Sequence, residues 1–400
     1  MASFKYKALT TPREIRLLEW RIGQGMEFKL VHTTLDTCPP YMALSYTWGE
    51  PVFPHKIEID GQPFPITANL HDFLEQFACH FKEAEEGSSV SYWIDAICIN
   101  QLDDPERGAQ ICYMKEIYQR ATTVDAWLGN SSEKTDFALG KLKEWYDYLK
   151  PFLVHLEDGE SGDSILDGLL SANDRFIRPQ GSVAYKTWEA INELLERPWW
   201  TRSWIVQEAT AKSHSAVYLN YGSARVPWVG IKLLSLVIGR LAQWKNLDIF
   251  AFICNRNWRC RKQSCKDPRD KVYSVRGMAS DVGEDDLVPD YSLSLGEVYT
   301  QVAEFALQNS PAGHRLDFLG EASQPLGGWD ITTPYNGEMP SWYDPIPSWV
   351  PDWRIQQCAI PFPKYLDELY GRGPPAYDAS HGRLGEARVT GTQLQAFCIT

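Results

Sequence analysis

Three short apolar runs restrict the fold of this chain more than any other feature. Tyr41–Trp48 (YMALSYTW), Ser91–Asn100 (SYWIDAICIN) and Thr123–Gly129 (TVDAWLG) are short, mostly apolar or aromatic, and bounded by turn signals. Runs of that kind fit strands buried on both faces, as in a parallel sheet. Between the second and third lies a polar turn, QLDDPERG, and then a helical pattern from Pro105 with Ile111, Met114, Ile117 and Tyr118 on one face. Strand, helix and strand joined by short links imply a crossover unit and an α/β fold with a parallel sheet flanked by helices.

The remaining signals extend this plan. EFKLVHTTL (from Glu27) alternates weakly and reads as a strand, and Asp60-Gly61 between two β-like runs reads as a hairpin turn. Leu70, Phe73, Leu74, Phe77 and Phe81 repeat at helical spacing, and Ala216–Gly222 predicts a further strand. The stretch 131–185 is an irregular insertion, with one helix (DFALGKLKEWYDYLK) and a loop-like EDGESGDS; Trp188–Arg197 reads as helical. We expect a main domain over 1–225. A mostly helical extension over 226–400 follows, with helices at Val229–Trp244, Arg269–Met278 and Leu295–Leu307 and an aromatic-proline strap at Pro340–Pro351. The closing TGTQLQAFCIT reads as a strand that ends abruptly, as in a piece of a longer protein.

Charge and cysteine usage exclude several function classes. A net charge of −13 disfavours nonspecific binding to nucleic acid or to an anionic membrane, both of which need a basic surface. The one basic stretch is NRNWRCRKQSCKDPRDK, ending at Lys271. Nine scattered cysteines suit a reducing compartment, and Cys254, Cys260 and Cys265 lack zinc-knuckle spacing, so no metal is expected. The start has no apolar signal region, and the run IKLLSLVIGRLAQW is interrupted by Lys232 and Arg240 and too short to span a bilayer. The expectation is a soluble cytoplasmic protein.

Aromatic and polar groups combine in four places: Ser45 to Gly49, Asp95 to Gln101, Arg202-Ser203-Trp204, and Glu208. In an open α/β sheet the ligand crevice lies outside the carboxyl ends of the strands, where Tyr46, Trp48, Asp95, Asn100 and Gln101 would fall. Trp204 and Glu208 are spaced i, i+4 and share a helical face. An indole beside a carboxylate raises the cost of its charge unless a cation such as Arg202 compensates. Two readings stand for Glu208: a reacting carboxylate, or a glutamate salt-bridged to an arginine at a domain edge. For Asp95 a turn cap or an arginine partner is favoured over a functional carboxylate, and for Trp48 a core residue over a ligand platform. Asp103, Asp104 and Glu106 read as a helix cap and dipole complement. P-loop, G-x-G-x-x-G, G-x-S-x-G and H-E-x-x-H signatures are absent from the sequence.

Taken together, LSYTWG (44–49), WIDAICINQ with PERGAQICYMKEIYQRA and VDAWLG (93–129), and RPWWTRSWIVQE (197–208) resemble the heterokaryon-incompatibility (HET) domain family. IRLLEW (15–20), DPRDKVYSVRGM (267–278) and PSWVPDW (347–353) fit in the same order. The resemblance implies a fold similar to Toll/interleukin-1 receptor (TIR) domains, a flavodoxin-like parallel sheet flanked by helices. It implies a role in programmed cell death on non-self recognition, self-association into oligomers or filaments, and an upstream receptor or incompatibility partner. Many TIR relatives cleave NAD at the nicotinamide–ribose bond with a glutamate in a W-x-x-x-E pattern. Trp204 and Glu208 match that pattern, making Glu208 the implied catalytic residue and NAD a substrate rather than a cofactor. Tyr46 and Trp48 would then stack on a base, Arg202 would meet a phosphate, and Asp95, Asn100, Gln101 and Trp204 would complete the substrate site. A non-catalytic oligomerising module is the alternative, and a sugar hydrolase using Asp95 with Glu208 is a third reading.

Overall fold

The first two strands, β1 (Glu14–Arg21) and β2 (Glu27–Thr34), lie close in sequence and pair antiparallel, with Leu18 opposite Leu30. There follow β3 (Met42–Tyr46), β4 (His55–Ile59), β5 (Gln62–Ile66), α1 (Ala68–His80), β6 (Ser89–Trp93), α2 (Asp95–Cys98), α3 (Asp104–Arg120), β7 (Val124–Trp127) and α4 (Glu133–Leu149). A 3-10 turn (Pro198–Thr201), α5 (Ile205–Thr210), β8 (Val217–Tyr221) and β9 (Ala224–Pro227) complete the sheet-forming part. This computed structural model describes residues 4–23, 25–80, 88–149, 190, 193–194, 196–210, 216–228, 265–277, 279, 282–283, 285–309, 346, 350, 385–390 and 393–398.

Among the described residues, nine strands form one sheet in the order β5-β4-β2-β1-β6-β3-β7-β8-β9. Its centre, β6-β3-β7-β8, is parallel throughout. The crossover inferred from sequence is present, but it skips a position, because β3 lies between β6 and β7. The sheet is mixed rather than wholly parallel. β1 runs antiparallel to both neighbours, and the β4–β5 and β8–β9 hairpins add antiparallel edges that tight turns require.

One sequence expectation fails in an informative way. Ser91–Asn100 is not a single strand: β6 ends at Trp93, and Asp95–Cys98 turn into a helical turn closed by Cys98 N–H to Ile94 O (2.7 Å). An apolar run does not distinguish a buried strand from a buried helical turn. Here Ile94, Ile97, Cys98 and Ile99 are all buried, so both conformations satisfy the same hydrophobic demand. Asp103 caps α3 as expected, accepting from Glu106 N–H at 3.0 Å.

The core on this sheet is aromatic. Trp93, Trp127, Tyr41, Tyr46 and Tyr118 are almost fully buried, and the Trp93 and Tyr118 rings meet edge to face at 5.6 Å. Asp60 (φ 50°) and Gly61 (φ 71°) form a two-residue hairpin turn in the left-handed region. A Cβ at Gly61 would meet only Glu58 Oε1, at 3.9 Å, so the cost of Gly61→Ala is conformational rather than steric. We expect Gly61→Ala to lower unfolding free energy by about 1 kcal/mol in urea titration with an unchanged slope. No loss would mean the turn relaxes freely.

The chain divides into two compact units, Met1–Arg259 and Cys260–Thr400. In the second, helices α6 (Asp270–Arg276) and α7 (Leu295–Asn309) stand where helices were expected. Arg269 organises their junction, donating to Asp267 and to the carbonyls of Tyr291 (2.7 Å) and Leu293 (2.6 Å). β10 (Gly385–Thr390) and β11 (Gln393–Cys398) form an antiparallel pair, the latter meeting the expectation of a strand in the closing residues. The expected helix 229–244, the loop at 157–164, most of the basic stretch and nearly all of the 340–351 strap lie outside the described residues. Cys38 and Cys98 are free thiols. No helix of the described residues is long and apolar enough to cross a membrane.

Candidate functional site

A lone serine in an apolar strand starts the site. In β3 (MALSY) Ser45 is 1% exposed, and a buried hydroxyl must find partners. α5 packs beside β3, β7 and α3, and it brings Glu208 to that hydroxyl. Ser45 Oγ donates to Glu208 Oε2 and accepts from the Trp199 indole N–H at 2.8 Å. Arg202 donates from Nη1 to Oε2 (3.2 Å) and from Nη2 to Oε1 (3.3 Å). Glu208 is therefore fully buried but bonded at both oxygens, as a buried charge must be.

The aromatic stretch that precedes α5 is what aims these groups. Pro198 opens the 3-10 turn, which places Trp199 and Trp200 edge to face at 4.9 Å. The Trp200 ring stacks on Trp228 at 5.7 Å and its N–H reaches Leu194 O at 2.8 Å. Glu208 N–H bonds to Trp204 O (3.2 Å), so the i, i+4 spacing is a true helical turn. The indole that bonds into the carboxylate network is nevertheless that of Trp199, while Trp204 is half-buried and packs on the main core. Sequence reasoning missed both Trp199 and the role of Ser45. The isolated hydroxyl in β3 was the available signal.

Asp95, at the first position of α2, forms the second part. Both its oxygens accept from the Trp48 indole N–H at 3.0 Å, and Oδ1 also accepts from Ala96 N–H at 2.7 Å. Burial pushes its pKa up to about 6; Arg202 acts downward, Glu208 upward, and the Trp48 bond downward. Burial opposes the charge of Arg202, but Glu208 and Asp95 more than compensate and raise its pKa. Tyr46 is buried beside them, its phenol held well above the usual range by burial and then by Asp95.

The other expected residues build turns. Gln101 donates to Asp95 O (2.9 Å), while Asn100 N–H donates to Glu106 Oε1 (2.7 Å) and its side-chain oxygen accepts from Leu102 N–H (3.3 Å). Asn100 and Gln101 thus shape the loop that carries Asp95. Glu106, read from sequence as a dipole complement, also grips the buried Arg16 at 2.6 and 2.9 Å. A further buried carboxylate, Asp125 in β7, accepts from Tyr92 Oη, from Asn220 Nδ2 (2.9 Å) and from Arg225 (3.0 Å). It ties β6, β7, β8 and β9 together. His71, Asp72 and Glu75 on α1 offer ligand atoms within 4.8 Å of one another. Asp72 already accepts from Asn130 at 2.6 Å and Glu75 is exposed, so the set carries no metal assignment.

Comparison with known proteins bears on this arrangement. Residues 41–208 match the family model described as heterokaryon incompatibility protein (HET), an interval that starts just before β3 and ends on Glu208. Heterokaryon incompatibility protein 6, OR allele, of Neurospora crassa is 26% identical over 411 residues, covering 88% of this chain and 59% of that protein. The chain thus spans about three fifths of that relative's length. No solved structure matches the chain. Strands β3 and β7 and the serine, the aspartate and the glutamate of the site all fall inside the interval 41–208 that matches the heterokaryon incompatibility (HET) model.

Proposed function

We propose that this chain is an effector of the incompatibility response that cleaves NAD between nicotinamide and ribose when it self-assembles. The observation that carries the reading is Glu208, held beneath β3 by Ser45 and Arg202 with Asp95 nearby. Four parallel strands in the spatial order second, first, third, fourth support a TIR-like, flavodoxin-like sheet, whose ligands sit where the order reverses. That point is the carboxyl end of β3 and β7, beside α5. Nicotinamide departs from a pyridinium as a neutral molecule, so no general acid is needed, unlike in ordinary glycosidases. One ionised glutamate is enough to hold the ribose hydroxyls and stabilise the cationic transition state.

The second reading, a non-catalytic module that transmits the death signal by oligomerising, draws on one observation. Glu208 is fully covered and its oxygens are engaged, as in a structural brace. Incubating purified protein with NAD at high protein concentration separates the two. Nicotinamide release rising more steeply than protein concentration is expected. No release while light scattering confirms oligomers would give the signalling module precedence.

A further inference from the structure

The candidate site holds one more acid than base. Glu208 takes both Arg202 hydrogen bonds, whereas Asp95 has no ion-pair partner of its own among the described residues. Its side-chain bonds are to neutral donors, the Trp48 indole and the Ala96 amide. Asp125 provides the contrast: a carboxylate of the same sheet compensated by an arginine, an amide and a phenol. Asp95 is partly exposed as a residue, whereas Glu208 is fully buried. A carboxylate in low-dielectric surroundings without a bonded cation favours a ligand that brings one.

We propose that Asp95 reads the positive charge of the leaving group, binding the pyridinium of an oxidised nicotinamide nucleotide and discriminating against the neutral dihydropyridine of the reduced form. This rests on the NAD-cleaving reading and narrows it to cationic N-glycosides. As the ribose C1–nitrogen bond breaks, its electron pair goes to the ring nitrogen, which leaves as neutral nicotinamide. The positive charge passes to the ribose, water adds to C1, and a proton is released. Asp95 therefore acts on a charge present in the bound substrate and lost during reaction. It is a specificity-determining residue: Asp95→Asn raises KM while kcat stays level or rises slightly.

The pH dependence has a definite sign. The groups facing Asp95 are Arg202 and Glu208 from the 202–208 segment, Tyr46 and Trp48 from β3 and the turn after it, Cys98 from α2 and Tyr118 from α3. Burial holds the Cys98 thiol up at about 12 and both phenols well above their usual range, so these three stay protonated. In the free protein Asp95 titrates at about 6. A bound cation favours the ionised form and lowers that pKa. Affinity for the cation therefore grows as pH rises toward about 6, levels off above, and is accompanied by proton release below.

The test uses the unmodified chain and two probes that resist cleavage. One is a carbocyclic analogue of oxidised NAD, in which a methylene replaces the ribose ring oxygen; the other is NADH. Calorimetry at pH 7.5 is expected to show the cationic analogue binding roughly tenfold tighter. That preference should fall to about threefold at pH 5.5, where about a quarter of the free protein keeps Asp95 ionised, and vanish in Asp95→Asn, with NADH affinity little changed. Equal affinity for both probes at pH 7.5 would overturn the role of Asp95 and leave the NAD site standing. A preference that survives in Asp95→Asn would also overturn it. Binding of neither probe at millimolar concentration would overturn the NAD reading and this inference together. The pH comparison on the unmodified chain decides the matter even where Asp95→Asn folds poorly.

Discussion

Glu208→Gln is expected to lower nicotinamide release from NAD about a thousandfold, the scale seen when a preorganised charge at a transition state is removed. Glutamine keeps the shape of the side chain and can still accept from Ser45 Oγ, so the geometry around β3 has reason to persist. What disappears is the negative charge facing the developing ribose cation. Arg202, 15% exposed in its side chain, then loses its bonded anion, and some stability goes with it. Thermal unfolding measured beside turnover separates the two effects. A variant that stays folded and retains release within tenfold of the unmodified protein would remove Glu208 from the centre of the chemistry. A Trp199→Phe variant gives a milder test of the same geometry. It deletes the N–H that holds Ser45 (2.8 Å) while keeping an aromatic ring, and should slow release by about tenfold through the serine.

The largest effect on stability is expected at Arg16. Its side chain is fully buried in β1, yet it carries a charge. The guanidinium is held by Glu106 at 2.6 and 2.9 Å, by Cys98 O at 3.0 Å and by Lys7 O at 2.7 Å, with the Tyr6 ring 4.9 Å away. Arg16→Ala leaves Glu106 in a largely covered position with no cation and two carbonyls without their donor. Breaking a buried pair in this way costs about 3–5 kcal/mol, a large fraction of the roughly 5–15 kcal/mol by which domains are stable. Arg16→Met combined with Glu106→Gln should recover most of that loss, since both charges are then gone and the volume is retained. Urea unfolding of the single and double variants measures both. A loss below about 1 kcal/mol for Arg16→Ala would show that water or local rearrangement satisfies Glu106.

The same pair joins two stretches that lie far apart in the sequence. IRLLEW contributes Arg16, and the stretch from Pro105 contributes Glu106, whose carboxylate also accepts from Asn100 N–H. The N-terminal strand is thereby joined to the loop that carries Asp95.

Local energies in the sequence decided much of the rest. Alternating and apolar runs specified β2, β3, β6, β7 and β8, because side-chain burial depends on near neighbours along the chain. The Asp60-Gly61 turn, the Asp103 cap and the helices at Asp270–Arg276 and Leu295–Asn309 were legible for the same reason. Strand ends alone brought Tyr46, Trp48, Asp95, Asn100 and Gln101 together as candidates, and the i, i+4 spacing of Trp204 and Glu208 is a helical turn in the structure. The end of β6 could not be read, since Ile94 to Ile99 are buried equally well as strand or helical turn. Only the tertiary structure decided strand order, and with it which partners each buried polar group obtained. Ser45 lies far along the chain from Trp199 and Glu208, as Asp125 does from Tyr92 and Arg225. A buried carboxylate or hydroxyl must find a partner, but the sequence states only the need. The order in which the strands close determines which residue meets it.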